Sequence, residues 1–328
     1  MNRLNFVLPT SPFRSAASAP LRPDKFRDPR VTADGSPRAS VALGDLSTLW
    51  FNTGTLCNIA CASCYIESSP RNDALAYLSA DEVRDYLREV DTLGLKTREI
   101  GVTGGEPFMN REIIDILDAA LATRRDVLVL TNAMRPMRRW DAALKRLLRA
   151  YGDRLTLRVS LDHHTAEAHE QERGAGTWAV AIEGLTWLAT GGFRIAVAGR
   201  LLPEETEAEA RVAYAALFAS LGLPVRADDP AQLVLFPEMD ASVDVPEITE
   251  ACWGILNKSP SAMMCASSRM VVKRKGQSTP VVVACTLTPY DPQFELGASL
   301  SHALGAVALN HPHCAKFCVL GGASCSAS

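Results

Sequence analysis

The chain has 328 residues, enough for one large domain or two smaller ones, and its 47% hydrophobic and 22% charged composition is that of a globular protein that needs no disulfide staples. With 34 Lys and Arg against 37 Asp and Glu, the net charge is −3, which offers no electrostatic case for a nucleic-acid partner. Apolar runs are too short for a membrane-spanning helix, and the first residues, interrupted by Asn5 and stopped by Pro9, do not read as a secretory signal. The expected setting is a reducing cytoplasm, where the nine cysteines act as ligands or redox groups and not as disulfides.

Residues 1–43 are rich in Pro, Ser, Ala and Arg without sustained periodicity, and read as an irregular mobile arm or a surface wrap. From Leu46 the pattern changes. A short apolar strand is expected over 47–52. Ser79-Ala80-Asp81-Glu82 is a capping box that opens a helix running to about Leu93. A strand over 98–103 runs into Gly104-Gly105. Ile113, Ile114, Ile116 and Leu117 give 112–123 helical spacing, and 126–131 reads as a buried strand. Further helices are expected over 141–151, 177–190 and 204–221, and strands over 154–161 and 193–200. Strands alternating with helices at roughly 30-residue spacing are β-α units around a parallel sheet. Five or six such units fit between 46 and about 236, and eight do not, so the expected fold class is α/β with a partial barrel. Beyond about 240, two β-type runs over 270–274 and 281–284 read as a hairpin, and glycines surround the cysteines of the last stretch. The expected division is an arm at 1–43, a core at 44–240 and a small cysteine-rich module at 241–328.

Cys57-Asn-Ile-Ala-Cys61-Ala-Ser-Cys64-Tyr65 follows the first strand of the series. Three thiolates on one loop can hold three irons of a [4Fe–4S] cluster, which normally takes four cysteines. With no fourth cysteine nearby, one iron is left open for a substrate or cofactor. A structural zinc site is the alternative, but it would want a fourth ligand and two-residue spacers. Thr103-Gly104-Gly105-Glu106-Pro107 ends the next strand, where parallel barrels build their sites. Its glycines permit close approach to the backbone, and the Glu106 carboxylate can receive an ammonium group.

The three-cysteine loop, the Gly104-Gly105-Glu106-Pro107 segment and the β-α series together resemble the core of the radical S-adenosylmethionine (SAM) superfamily, over roughly residues 46–236. The resemblance implies a partial (β/α)6 TIM-like barrel. It implies that the open iron takes the amino and carboxylate groups of SAM. Reductive cleavage would then give methionine and a 5′-deoxyadenosyl radical that abstracts a hydrogen atom from substrate, with the cofactor carrying the chemistry. It further implies Tyr65 near the adenine, Gly104, Gly105 and Glu106 at the methionine amino group, and Asn132 facing SAM. Ser160 and Asp162 match a segment that contacts the ribose or carboxylate, and Arg173 a position that pairs with the carboxylate. Where the family often has Gly after that Asp, this chain has His163. The bland readings are helix caps for Ser160 and Asp162 and a surface ion pair for Arg173.

Six cysteines remain. Cys265, the hairpin around Gly276 and Cys285 resemble the opening of the superfamily's SPASM or twitch auxiliary-cluster module. Cys314 and Cys318 would complete four ligands, with Cys325 as the rival to Cys318. Two further fully ligated clusters would need eight cysteines, so one auxiliary [4Fe–4S] cluster is expected. A zinc knuckle or buried thiols are the alternatives. His311 and His313 flank this region as solvated loop residues or occasional ligands. Asp162-His163-His164 is discounted as a metal triad, because successive residues on a strand point to opposite faces.

The expected activity is that of a radical SAM oxidoreductase on a small molecule, a cofactor precursor or a peptide. A flavodoxin- or ferredoxin-type reductant is its partner, with no nucleic acid and no membrane. The short arm, no match for a leader-binding domain, slightly lowers the peptide option. The rivals are a non-catalytic iron–sulfur electron carrier or sensor and a zinc-stabilised binding module.

Overall fold

The computed structural model describes residues 11–14, 19–237 and 240–322. A two-residue strand, β1 (Ser40–Val41), precedes an alternating series of β2 (Thr48–Asn52), α1 (Ala80–Thr92), β3 (Glu99–Thr103), α2 (Ile113–Ala122), β4 (Asp126–Thr131), α3 (Arg135–Arg138) and α4 (Asp141–Tyr151). It continues with β5 (Leu155–Ser160), α5 (Ala166–Arg173), α6 (Thr177–Thr190), β6 (Arg194–Arg200), α7 (Glu207–Ser220) and β7 (Leu233–Phe236). The last elements are α8 (Cys252–Ile255), β8 (Ser268–Val272), β9 (Val281–Val283), β10 (Glu295–Gly297), β11 (Val307–Ala308) and a π-type turn of helix over Cys314–Leu320.

Nine strands form one sheet in the order β10-β9-β8-β2-β3-β4-β5-β6-β7. From β2 to β7 every neighbour follows in chain order and every pair is parallel. Right-handed crossovers in that order place the connecting helices on one face. Strand alternation then sorts the core. Leu49, Phe51, Val127, Val129, Leu157 and Val159 pack against helix residues such as Val83, Leu117 and Leu185. On the other face Trp50, Leu128, Met270, Val272 and Val283 meet Phe317 from the C-terminal helical turn. Gly101 on β3 makes room for Trp50, since a Cβ there would lie 2.2 Å from the indole ring.

Both capping boxes that open α1 and α7 are formed, at Ser79–Glu82 and Thr206–Glu209. Helix α5 has no counterpart in the sequence reading, because Ala-Glu-Ala-His-Glu-Gln-Glu-Arg lacks an apolar stripe. The hairpin expected near 270–284 is present as antiparallel β8–β9, but it does not stand apart. β8 runs parallel beside β2, with Thr48 opposite Ser268, and extends the main sheet. A two-stranded hairpin alone is marginal in water, and the edge of β2 supplies the ladder it needs.

The described part of the arm wraps the C-terminal segment. β1 pairs with β11, and Lys25 Nζ meets Asp244 Oδ1 at 2.8 Å. Arg38 and Glu247 form a fully enclosed pair at 2.5 Å. Among the described residues no helix is long and apolar enough to cross a membrane.

Candidate functional site

The parallel ladder of β2 and β3 continues past both strands into the cysteine loop. Thr53 N donates to Thr103 O at 2.8 Å, Gly105 N to Gly54 O at 2.8 Å and Glu106 N to Leu56 O at 3.1 Å. A Cβ at Gly104 would lie 2.6 Å from Gly54 O, and one at Gly105 2.3 Å from Leu56 O. The two glycines therefore let the end of β3 lie directly on the backbone that leads into Cys57.

Cys57 is buried and Cys61 and Cys64 are half-buried. Asn132, just past β4, places Nδ2 3.9 Å from Cys57 Sγ and donates to Asn58 Oδ1 at 2.9 Å. The Ser68 amide donates to Cys64 Sγ at 3.3 Å. Burial pushes the Cys57 thiol up to about 11 and the Cys61 thiol up to about 12. Such thiols become thiolates only with a cationic group to hold them.

Opposite the cysteines, β5, α5 and β6 bring a charged cluster together. Asp162 Oδ2 accepts from Arg173 Nε at 2.7 Å, and Asp162 Oδ1 lies 3.3 Å from Arg200 Nε. Arg200 Nη1 donates to Ser63 Oγ, inside the cysteine motif. Glu172 Oε1 accepts from the Ser63 amide at 2.8 Å and its hydroxyl at 2.7 Å, and the Ala62 amide bonds Glu172 O at 2.8 Å. Burial opposes the Asp162 charge, but Arg173 and Arg200 override it and hold the carboxyl at about 2. The same carboxylate holds Arg173 above its ordinary value.

All of the sequence-predicted core residues line one cavity of about 130 Å³ except Glu106: Cys57, Cys61, Cys64, Tyr65, Gly104, Gly105, Asn132, Ser160, Asp162 and Arg173. Glu106 lies behind the wall, 1% exposed. Its Oε1 accepts from Thr131 Oγ1 at 2.8 Å and Phe108 N at 3.2 Å, and its Oε2 from Asn132 N at 2.8 Å. Burial pushes its carboxyl up to about 7, against those three hydrogen bonds. Sequence reasoning missed Arg200, Glu172 and Ser63. Arg200 carried a usable signal, as an Arg ending an apolar parallel strand.

A second chamber of about 900 Å³ adjoins the first along the cysteine loop. Cys61, Cys64, Tyr65, Arg71 and Arg200 face it, together with Asp240 and His313 from the C-terminal part. His313 also lines a small apolar cavity around which Cys265, Cys285, Cys314 and Cys318 converge with Met263 and Phe294. Cys252 lies elsewhere, with Sγ 3.4 Å from Thr249 N, and Cys325 falls outside the described residues. Burial pushes Cys265 up to about 11 and raises Cys285 well above the ordinary thiol range, where Cys318 and Cys314 raise it further. His311 packs its ring on Phe294 and does not line the cavity. Tyr290 donates to Ile66 O at 2.8 Å, fastening the C-terminal part to the cysteine loop.

The sequence model of the radical SAM superfamily matches residues 51–217, just over half of the chain. The chain belongs to the radical SAM superfamily. Similar proteins include the mycofactocin maturase MftC of Mycobacterium ulcerans, 33% identical over 137 residues, which are 42% of this chain and 35% of that protein. The antilisterial bacteriocin subtilosin biosynthesis protein AlbA of Bacillus subtilis is 34% identical over 143 residues, 43% of this chain and 30% of AlbA. The matched stretch thus spans about a third of each relative's length. In fold, the chain resembles Streptococcus suis SuiB bound to S-adenosylmethionine, with a TM-score of 0.54 and 13% identity over 76% of this chain and 63% of SuiB. The cofactors of the radical SAM superfamily are a [4Fe–4S] cluster and SAM. The donor set fits them, with three thiols, two of them strongly desolvated, on a cavity whose other walls are glycine backbone, Asn132 and the Asp162–Arg173 pair.

Proposed function

We propose that this protein is a SAM-cleaving radical enzyme whose core cluster is held by Cys57, Cys61 and Cys64. The carrying observation is that these thiols share one cavity with Gly104, Gly105, Asn132, Asp162 and Arg173. A [4Fe–4S] cluster bound there would supply the electron for reductive cleavage of SAM and so make hydrogen abstraction from substrate available. The chain's residues bind, orient and exclude water. Carbonyls of the Gly104-Gly105 segment, which lines the cavity, would receive the methionine ammonium. Glu106 fixes that segment to Thr131 and Asn132 from behind, so it acts by positioning. Arg173, held by Asp162 on the cavity wall, would pair with the SAM carboxylate. Tyr65 borders both spaces and offers its ring to the adenine, and Ser160 and Asp162 offer polar groups to the ribose.

We assign the wound strand order to a partial (β/α)6 barrel, with the arm at 1–43, the core at 44–240 and the C-terminal part at 241–328. A twitch-like auxiliary [4Fe–4S] cluster on Cys265, Cys285, Cys314 and Cys318 is supported by their convergence on one apolar cavity. His313 borders both that cavity and the large chamber, which puts the auxiliary centre within reach of substrate. The volume of the chamber suits a bulky substrate. The relatives named as a maturase and as a bacteriocin biosynthesis protein favour a peptide over a cofactor precursor or other small molecule. A flavodoxin- or ferredoxin-type protein is the reductant.

The test is anaerobic incubation of the reduced protein with SAM. Formation of methionine and 5′-deoxyadenosine is expected, and its absence from protein with full iron content would overturn the reading. Replacing Cys57, Cys61 and Cys64 by Ala should abolish the products.

A further inference from the structure

Two imidazoles and a carboxylate converge beside the SAM cavity at atoms that have no hydrogen-bond partner. His163 and His164 follow the end of β5, and Glu205 follows the end of the adjacent β6. His163 Nε2 lies 3.6 Å from Glu205 Oε2, and His164 Nδ1 lies 3.6 Å from Glu205 Oε1. One ligand atom from each of the three fits within 4.8 Å of the others. His163 Nε2, His164 Nδ1 and Glu205 Oε2 are all buried and unpartnered. Unpartnered buried polar atoms are costly and rare, and three of them facing one point ask for an occupant.

The geometry also tells against a simple hydrogen-bonded cluster. A separation of 3.6 Å is too long for a hydrogen bond. The two separations, each to a different oxygen of Glu205, are close to the edge, roughly 3.3 Å, of a tetrahedron with metal–ligand bonds of about 2.0 Å, and the three ligand atoms as a set lie within 4.8 Å. Strand alternation, the ground for discounting Asp162-His163-His164, does not carry over to the two histidines, because β5 ends at Ser160, its last backbone bond to β6 is at Asp162, and His163 and His164 lie in the loop beyond. Their ring centroids are 3.9 Å apart, so both turn to the same side. Asp162 is committed to Arg173 and Arg200, and Glu205 takes the third place.

The surroundings hold the rings in place. His163 Nδ1 lies 2.8 Å from Thr165 Oγ1, a bond of the kind that orients metal-bound imidazoles. The Thr165 amide also points at Nδ1, at 3.1 Å. That contact suits the rival tautomer, in which Nε2 carries a proton toward Glu205 and no metal binds. Phe13 and Tyr214 wall the histidines, and the Tyr214 hydroxyl is already bonded to Leu161 O at 2.7 Å.

We propose that His163, His164 and Glu205 bind one divalent transition-metal cation of the zinc type, separate from the iron–sulfur sites, with a coordination position left to water. Two imidazoles and one carboxylate suit Zn²⁺ or a neighbouring first-row ion, whereas Mg²⁺ and Ca²⁺ favour oxygen donors. The ion ties the loop after β5, which carries Asp162, to the loop after β6.

The test uses the intact iron–sulfur protein, washed of loosely held metal and equilibrated anaerobically with Zn²⁺. Zinc, iron and sulfide are then counted. About one zinc per chain is expected in the wild type, falling to background in His164→Ala and in the near-isosteric Glu205→Gln, with iron and sulfide unchanged. Wild-type protein that takes up no zinc would establish the metal-free tautomer and overturn the proposal. Equal zinc uptake by both variants would also overturn it, by moving the binding to the thiols. Glu205→Gln guards against loss through misfolding, because it keeps the volume of the side chain and its iron count reports the fold.

Discussion

Arg173 Nε donates to Asp162 Oδ2 at 2.7 Å on the wall of the cavity that Cys61 and Cys64 also line. Arg200 approaches the other oxygen of the same carboxylate at 3.3 Å, so one anion serves two buried guanidinium groups. Asp162→Asn would leave both without their main counter-charge. Loss of one partner from such a buried cluster costs about 3 kcal/mol or more. We expect a clear fall in the denaturation midpoint. Arg173→Lys keeps the charge but loses the fork that bonds both oxygens. That variant should retain iron while SAM affinity falls about tenfold, roughly the value of one charge-assisted bond. Equilibrium dialysis with SAM checks it, and unchanged affinity would remove Arg173 from the site.

Glu106 acts through what it holds. Its carboxylate accepts three hydrogen bonds, from Thr131, Asn132 and Phe108, and Asn132 in turn approaches Cys57. In Glu106→Gln the amide nitrogen must face at least one of these donors, an error worth about 1–3 kcal/mol. Weaker SAM binding and a lower melting temperature should therefore appear together. A variant that lost SAM affinity with unchanged stability would instead point to direct contact between the carboxylate and the SAM ammonium.

The arm is fastened by a buried ion pair whose pH dependence has a definite sign. Burial opposes the Glu247 charge, but the Ala33 amide, Arg38 and the Phe26 amide outweigh it and lower the carboxyl below its ordinary value. A depressed carboxyl contributes stability that is fully present above the unfolded value of about 4.3 and is lost as the pH falls through the lower folded value. Glu247→Gln should destabilise at neutral pH by leaving Arg38 without its counter-charge, by less than the roughly 3 kcal/mol of a bare buried charge because Arg38 still donates to Asp28 O and Val31 O. Urea midpoints of wild type and variant, compared from pH 6 down to pH 3, should converge only below about 4.3. A pH-independent gap would contradict the assignment.

Local signals made much of the site legible, and tertiary pairing hid the rest. The three-cysteine spacing and the Gly104-Gly105 dipeptide are readable because loop chemistry and close approach leave marks within a few residues. The strands from 48 to 200 are readable because parallel buried strands are unbroken apolar runs. Arg200 and Glu172 meet Ser63 only because β6, α5 and the cysteine loop converge, and no spacing encodes that. The hairpin at 268–283 reads correctly as a hairpin, yet its place beside β2 depends on an open sheet edge that no local pattern records. The Asp162-His163-His164 run is legible but set aside as a triad on strand alternation, and the approach of Glu205 to both histidines from the loop after β6 is a tertiary pairing that no spacing records.

The four C-terminal thiols offer the sharpest division between readings. Cys265, Cys285, Cys314 and Cys318 line one cavity, while Cys252 is turned toward Thr249. If the four hold a second [4Fe–4S] cluster, anaerobically purified protein carries about eight irons. Replacing Cys57, Cys61 and Cys64 by Ala should then leave about four, and replacing Cys285 and Cys314 by Ala should also leave about four. Cys252→Ala should change nothing. About four irons in the wild type, falling to none in the core variant, would mean that the C-terminal thiols hold zinc or stay protonated. The two variants also separate the roles of the centres. With Cys285 and Cys314 replaced, the cavity around Gly104, Asn132 and Arg173 is untouched, so reductive SAM cleavage should persist while turnover of substrate fails. Loss of SAM cleavage in that variant would instead make the auxiliary centre the entry point for the electron. Phe317 would then matter, because its ring lies 5.5 Å from that of Phe236, which lines the cavity of Cys57, Cys61 and Cys64, and it rides on the helical turn that carries Cys314 and Cys318.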